Sequence, residues 1–347
     1  MPADRTLAIA SFLQNAGHQG AKLTPLAGDA SARRYFRVTG GPSLPGAKTA
    51  VLMDAPPESG TQTGQFTKIA KLLHGLGFSA PKILASDHAR GFLLIEDLGD
   101  DLFSRVAAQN PELETMIYMS AVDVLIALHR HPAPTYCPSY DAPTMAENTG
   151  VAYDYYAAGV HGRIARERKA LAVSELGAVL AAYSADQPVL VLRDYHSENL
   201  LWLPDRKGVG RVGLLDFQDA VIGHPATDLV SLTQDARRDV SPELAERAME
   251  HFIARTQHNP KHFRAAAAAV SAQRNLRILG VFASLSLHFG KPSYVDFIPR
   301  VWDHLMRDLA HPSLAHLKGI LLEDLPAPTS QTLTTLKEKC GTILTPL

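Results

Sequence analysis

The chain has 347 residues, with 34 basic against 35 acidic side chains and a formal net charge of -1, which removes the electrostatic reason to expect nucleic acid or an anionic membrane surface as partner. Hydrophobic residues make up 46% and charged residues 20%, an ordinary globular composition at the length of a two-lobed enzyme or of two domains. The two cysteines, Cys137 and Cys340, lie far apart, so neither a disulfide framework nor a thiolate zinc site is expected. No apolar run approaches the ~20 residues of a membrane span, and the N-terminus lacks a secretory pattern, so a cytoplasmic location is expected.

Ile9, Phe12, Leu13 and Ala16 recur at helical spacing up to Gly17, which predicts a short leading helix. Residues 34–38 and 50–53 read as strands around a Gly/Pro-rich turn region at 40–46. Phe66, Ile69, Ala70, Leu73 and Leu76 form a helical stripe closed by Gly77, and residues 82–84 and 91–95 supply two more strands. Beyond Asp101 the pattern is mainly helical and opens on Asn110-Pro111-Glu112, an expected N-cap with proline at the first helical position. The exception is Pro188 to Asp216, where residues 189–192, 200–203 and 212–215 read as short strands inside a helical region. Helices resume from Pro242, and the tail from Leu325, with Pro326 and Pro328, reads as weakly ordered.

The chemistry concentrates in Val191-Leu-Arg-Asp-Tyr-His-Ser-Glu-Asn-Leu200, a polar loop held between two apolar strands. It sets Asp194 and Asn199 five residues apart, and Asp216 comes 17 residues later at the end of another strand. Hard oxygen donors suit Mg²⁺: Asp216 offers a charged oxygen and Asn199 a neutral carbonyl, while Asp194 is left to deprotonate an attacking hydroxyl. Each residue alone could be an ordinary turn former; the spacing and the flanking strands favour phosphoryl transfer, which needs positioning and charge neutralisation more than covalent chemistry.

This loop resembles that of the protein-kinase-like fold, and Asp194-Tyr-His196 is closer to the aminoglycoside phosphotransferase and choline-kinase-like superfamily than to a protein kinase. The resemblance implies an α+β bilobal fold, with a small mixed N-lobe carrying an antiparallel sheet over 1–97 and a larger, mainly helical C-lobe over 98–347. It also implies ATP and Mg²⁺ as cofactors, Asp194 as base, Asn199 and Asp216 as metal ligands, His196 orienting the loop and Asp228 in a structural role. Gly28 and Ser31 fall where that family covers the ATP phosphates, and Glu96 and Leu98 fall where the backbone meets adenine. Two departures stand out. The strand ending Val51-Leu-Met53-Asp54 has no lysine for the phosphates, and the next helix offers Lys68 in place of a glutamate partner. Arg33 or Arg34, with Lys48 behind them, are the candidate replacements, the alternative being a solvated strand face.

The combination of Gly28-Asp-Ala-Ser31, Arg33-Arg-Tyr-Phe36, Leu52-Met-Asp-Ala-Pro-Pro57 and Ile95-Glu-Asp-Leu-Gly-Asp100 with the catalytic loop looks like one branch, from about residue 20 to 310. That branch is the anomeric amino-sugar kinases of cell-wall recycling, acting on N-acetylmuramate and N-acetylglucosamine. The implied partners are a small-molecule amino sugar and ATP, with Arg193 and Tyr195 as acceptor-side candidates. Aminoglycoside, choline or homoserine phosphotransfer is the alternative, although residues 221–347 hold 12 acidic against 14 basic residues and so do not favour a polycation. A non-catalytic nucleotide-binding protein is the other alternative, against which the presence of Asp194, Asn199 and Asp216 together argues. His129 and His131 read as a basic helix end rather than a metal site, and Tyr153, Tyr155 and Tyr156 as core or, alternatively, a sugar platform.

Overall fold

A computed structural model describes residues 3–26, 33–44, 47–59, 63–163, 166–183 and 188–343. Gly28 and Ser31 lie outside these residues, as does the side chain of Lys48. The elements run α1 (Ala3–Asn15), β1 (Lys22–Pro25), β2 (Arg34–Leu44), β3 (Ala47–Asp54), α2 (Thr63–Gly75), β4 (Ile83–Asp87), β5 (Phe92–Glu96), α3 (Phe103–Gln109) and α4 (Glu114–Leu128). Next come α5 (Ala142–Glu147), a π-helical turn (Ala152–Ala157), α6 (Ala158–His161), α7 (Arg166–Ala182), β6 (Val189–Val191), β7 (Leu200–Trp202), β8 (Val212–Leu214) and β9 (Val221–Gly223). The remainder is helical: α8 (Ala226–Thr233), α9 (Pro242–Thr256), α10 (Pro260–Leu287), α11 (Ile298–Asp308), α12 (Ala315–Asp324) and α13 (Ser330–Glu338). The chain packs as two compact units, each assembled from two segments: Met1–Val124 with Ser197–Ala220, and Leu125–His196 with Val221–Leu347.

The first unit is built on a five-stranded antiparallel sheet of order β1-β2-β3-β5-β4. Strand alternation gives β2 two chemically different faces. Phe36 and Val38 turn toward α1, where Ile9, Phe12 and Leu13 pack with Ala50, Leu52, Phe92 and Leu94 in one apolar cluster. Tyr35 and Arg37 occupy the other face, opposite Met53 and Val51 of β3. In place of a turn beginning at residue 40, β2 continues to Leu44 with a register shift after Thr39. Gly91 is required where β5 begins: its φ is +74°, and a Cβ there would fall 1.9 Å from the Ala55 carbonyl oxygen. Asn110 caps no helix with its side chain; a 3₁₀ turn over Pro111–Leu113 forms instead, and the Leu113 N–H donates to the Asn110 carbonyl at 3.0 Å. The β7–β8 ribbon completes the unit.

The second unit is helical around α10, with β6 and β9 as a short antiparallel ribbon. β9, Val221–Gly223, is not among the strands expected from the sequence, since its two apolar residues run straight into Gly223-His-Pro225 with no longer apolar run around them. Tyr153 and Tyr156 are core: their hydroxyls donate to Asp324 and to the Pro326 carbonyl, each at 2.6 Å. The tail is ordered over residues 325–343, against expectation. Thr329 caps α13 by accepting the Thr332 N–H at 3.2 Å, and the Gly341 N–H donates to the Ser286 carbonyl at 3.0 Å. A buried Leu336 anchors it. His129 also departs from expectation: burial pushes its imidazole down to about 3, with His258 and His224 adding to the effect, so it is a neutral core ring edge-on to Phe252 and not a cation at a helix end.

Candidate active site

The loop that carries Asp194 leaves β6 in the second unit, where its shape is set by one buried carboxylate. Asp228, on α8 and fully buried, accepts the Leu192 N–H at 2.6 Å and the Arg193 N–H at 2.8 Å, one on each oxygen. Burial raises its pKa to about 7 against these donors. The double grip forces Arg193 to a φ of 72°, and the Asp194 N–H closes a tight turn onto the Leu192 carbonyl at 3.0 Å. Among the described residues only three non-glycines have positive φ, and Arg193 and Asp216 are two of them; such backbone strain concentrates where function requires a fixed geometry.

The Arg193 guanidinium lies over the Tyr140 ring, 5.6 Å from its centroid. Tyr195 is turned into the core at 2% exposure, so its ring is no surface for a sugar, and this corrects its place among the acceptor-side candidates. His196 is buried too. Burial lowers its pKa, and Asp235 and Asp194 oppose that while Arg237 and Arg274 reinforce it. Arg274 is itself drawn below the ordinary guanidinium value by burial, with Asp235 and Asp194 opposing; it donates to the Gln234 carbonyl at 3.0 Å and to Ser231 Oγ at 3.2 Å. Nothing in sequence spacing marks Asp235 or Arg274, because their relation to the loop arises only from helix packing.

Asn199 and Asp216 belong to the first unit. The β7–β8 register pairs Leu200 with Leu214, and beyond that pair the Leu215 N–H donates to the Asn199 carbonyl at 3.0 Å. Two residues distant in sequence thereby become ladder neighbours at the open end of one ribbon, with Asp216 next along. Asp216 has a φ of 54°, and its Oδ1 accepts from Arg33 Nη2 at 2.7 Å and from Gln218 Nε2 at 3.1 Å. Phe217, fully buried, packs against Phe66 of α2 with ring centroids 4.9 Å apart and fixes the turn. Among the described residues no group of three His, Cys, Asp or Glu side chains is arranged to hold a metal alone. The donor set of one carboxylate and one amide fits Mg²⁺, which takes few protein ligands and completes its shell with phosphate and water oxygens.

The two arginines separate by face. Arg34 pairs with Asp54 at 2.6 Å, sharing that fully buried carboxylate with Arg5 at 2.5 Å; it is a fastening between β2, β3 and α1. Arg33 reaches Asp216. At the segment expected to meet adenine, the Glu96 N–H is already committed to the Lys82 carbonyl at 2.8 Å, and its carboxylate accepts from Arg206 at 2.8 Å. Asp97 and Asp100 clamp Arg37. Leu98 packs over Gly213, where a Cβ would meet Leu201, Leu203 and Leu98 at 3.0–3.3 Å, so β8 makes close contact there only because it carries a glycine.

This frame matches known proteins. The profile of the Phosphotransferase enzyme family matches residues 22–283. The N-acetylmuramate/N-acetylglucosamine kinase of Caulobacter vibrioides is 37% identical over 95% of this chain and 99% of its own length. The kinase of the same name from Pseudomonas aeruginosa is 33% identical over 88% of this chain and 89% of its own. Among solved structures, ADP-bound aminoglycoside phosphotransferase APH(2'')-Ib superimposes with a TM-score of 0.58 at 11% identity, covering 91% of this chain and 99% of that one. A choline/ethanolamine kinase family protein from Mesorhizobium loti gives 0.56 at 14% identity, covering 96% and 99%. These two show the fold alone, and it is the kinase-like α+β fold expected from the sequence. With three quarters of its length inside the profile and relatives aligned almost end to end, the chain belongs to the phosphotransferase enzyme family.

Proposed function

We propose that this protein is an ATP-dependent sugar kinase that phosphorylates the anomeric hydroxyl of N-acetylmuramate, N-acetylglucosamine or both, giving the α-1-phosphate in cell-wall sugar recycling. The observation that carries this reading is similarity over almost the whole chain to relatives bearing that one name. ATP with Mg²⁺ supplies the phosphoryl group and neutralises its charge when bound. Asn199 and Asp216 hold the metal, and Asp194 accepts the proton of the attacking hydroxyl, held in place by the Asp228 grip on the two preceding amides. An anomeric hydroxyl is more acidic than an ordinary alcohol, so a carboxylate is a sufficient base. Arg33 is the phosphate cation, Arg193 the acceptor-side cation, and Gly28 and Ser31 cover the phosphates.

The reaction takes place on small molecules, and among the described residues no helix is long and apolar enough to cross a membrane. The test is ADP release with each amino sugar, an aminoglycoside and choline, then phosphorus NMR of the product. A doublet from an α-linked 1-phosphate on either amino sugar is expected. Phosphate on C6, or turnover only with an aminoglycoside or choline, overturns the acceptor.

A further inference from the structure

Among the described side chains, β3 presents no lysine on the face of the sheet that carries Tyr35 and Arg37. Opposite Tyr35 and Arg37 the β3 residues are Met53 and Val51, both buried and apolar. Asp54, the next residue, turns to the α1 face and is saturated by Arg5 and Arg34. Lys68 of α2 is exposed. The guanidinium that does lie at the end of this face is that of Arg33, only 10% exposed, with the Tyr35 hydroxyl beside it and Asp216 Oδ1 at 2.7 Å. Arg33 therefore sits on one oxygen of the carboxylate by which Asp216 would hold a metal.

We propose that Arg33 is an exchangeable cation: without nucleotide its guanidinium neutralises Asp216 in place of Mg²⁺, and when the metal arrives with ATP it passes from the carboxylate to the triphosphate. This rests on the reading of Asp216 as metal ligand. Two cations crowded at one carboxylate repel, and a guanidinium cannot lose its proton to relieve the conflict, so relief comes from a change of partner. Triphosphate oxygens offer the same fork a denser charge. The arrangement keeps the metal site closed to divalent cations until they come bound to ATP. It also gives one residue two couplings of opposite sign, since Arg33 opposes metal alone and favours ATP alone.

The experiment measures both couplings by equilibrium binding, without turnover. Mn²⁺ binding to the nucleotide-free protein is measured by electron paramagnetic resonance, and ATP binding in EDTA by calorimetry. Arg33→Met should bind Mn²⁺ alone about 10-fold or more tightly than the parent and ATP alone about 10-fold more weakly, roughly one decade of Kd on each side. Arg33→Lys, which keeps the charge, should lie between the two, and circular dichroism confirms that each variant is folded. Unchanged or weaker Mn²⁺ binding in Arg33→Met overturns the placeholder role, and unchanged ATP binding overturns the transfer to phosphate. Asp216→Ala separates this from the parent reading. If it fails to reduce Mn²⁺ binding in the presence of ATP, Asp216 is not the metal ligand; if it does reduce it while Arg33→Met changes nothing, only the exchange is wrong.

Discussion

Asp54 shows how far a single side chain can depart from its place in a pattern. Its carboxylate has no exposure and carries two guanidiniums, Arg5 and Arg34. Asp54→Ala strands both, and the loss expected on breaking a buried pair is about 3–5 kcal/mol. Arg34→Met should cost clearly less, because Arg34 is 37% exposed and Asp54 keeps Arg5. Urea unfolding of the two variants checks this order, and equal losses would remove Asp54 as the centre of the cluster. Asp194→Asn is the opposite kind of change: fold and ATP binding persist, while kcat falls by at least about 10², because an amide cannot accept the hydroxyl proton. Turnover within a few-fold of the parent would take Asp194 out of the role of base. The proposed base Asp194 and the proposed metal ligands Asn199 and Asp216 stand out in the sequence because phosphoryl transfer restricts both residue type and spacing. Which of Arg33 and Arg34 reaches Asp216 does not, since alternation says that neighbours face opposite ways without saying which face each takes.

Among elements, α10 meets the chain around the π-helical turn more closely than an ordinary helix contact allows. A Cβ at Gly280 would lie 2.3 Å from the Val151 carbonyl carbon and 2.5 Å from the Ala152 nitrogen, both backbone atoms that cannot swing aside. Gly280→Ala should therefore cost about 1–3 kcal/mol, the range for overpacking, despite the better helix propensity of alanine. Gly319 in α12 is the control, because an added methyl there would meet nothing within 4 Å, so Gly319→Ala should stabilise by about 0.5–1 kcal/mol. Thermal unfolding of both variants reads the sign, and a stabilising Gly280→Ala would deny the close approach. The helical pattern beyond Pro242 is legible in the sequence, but not that Gly280 of α10 approaches backbone so closely. α13 escapes sequence reading for a related reason: Pro326 and Pro328 signal a break, whereas the Thr329 cap and the docking of Leu336 make the residues beyond that break helical.

At the scale of whole-protein stability, buried groups of the helical unit pull in opposite directions with pH. Burial holds His129 down to about 3 and His304 to about 4, while it lifts Asp228 to about 7 and Asp308 to about 6. The histidines take protons only in the unfolded chain as pH falls below their ordinary 6.5, which lowers stability in acid. The carboxyls take protons in the folded chain at pH values where the unfolded ones, ordinarily near 3.8, remain charged, which raises stability in acid. Between about pH 7 and about pH 5 the two effects nearly offset in the parent protein. The histidine side can be removed alone. His129 makes no hydrogen bond through either ring nitrogen among the described residues and contacts Phe252 as an apolar ring would, so His129→Leu deletes a titrating group with little else. Relative to the parent, that variant should gain about 2 kcal/mol on moving from pH 7 to pH 5, from a group whose unfolded form charges while its folded form does not. Urea unfolding of both proteins at the two pH values measures the difference directly; identical shifts would mean that His129 is protonated in the folded chain, and the aromatic cluster around it would then have to hold a cation.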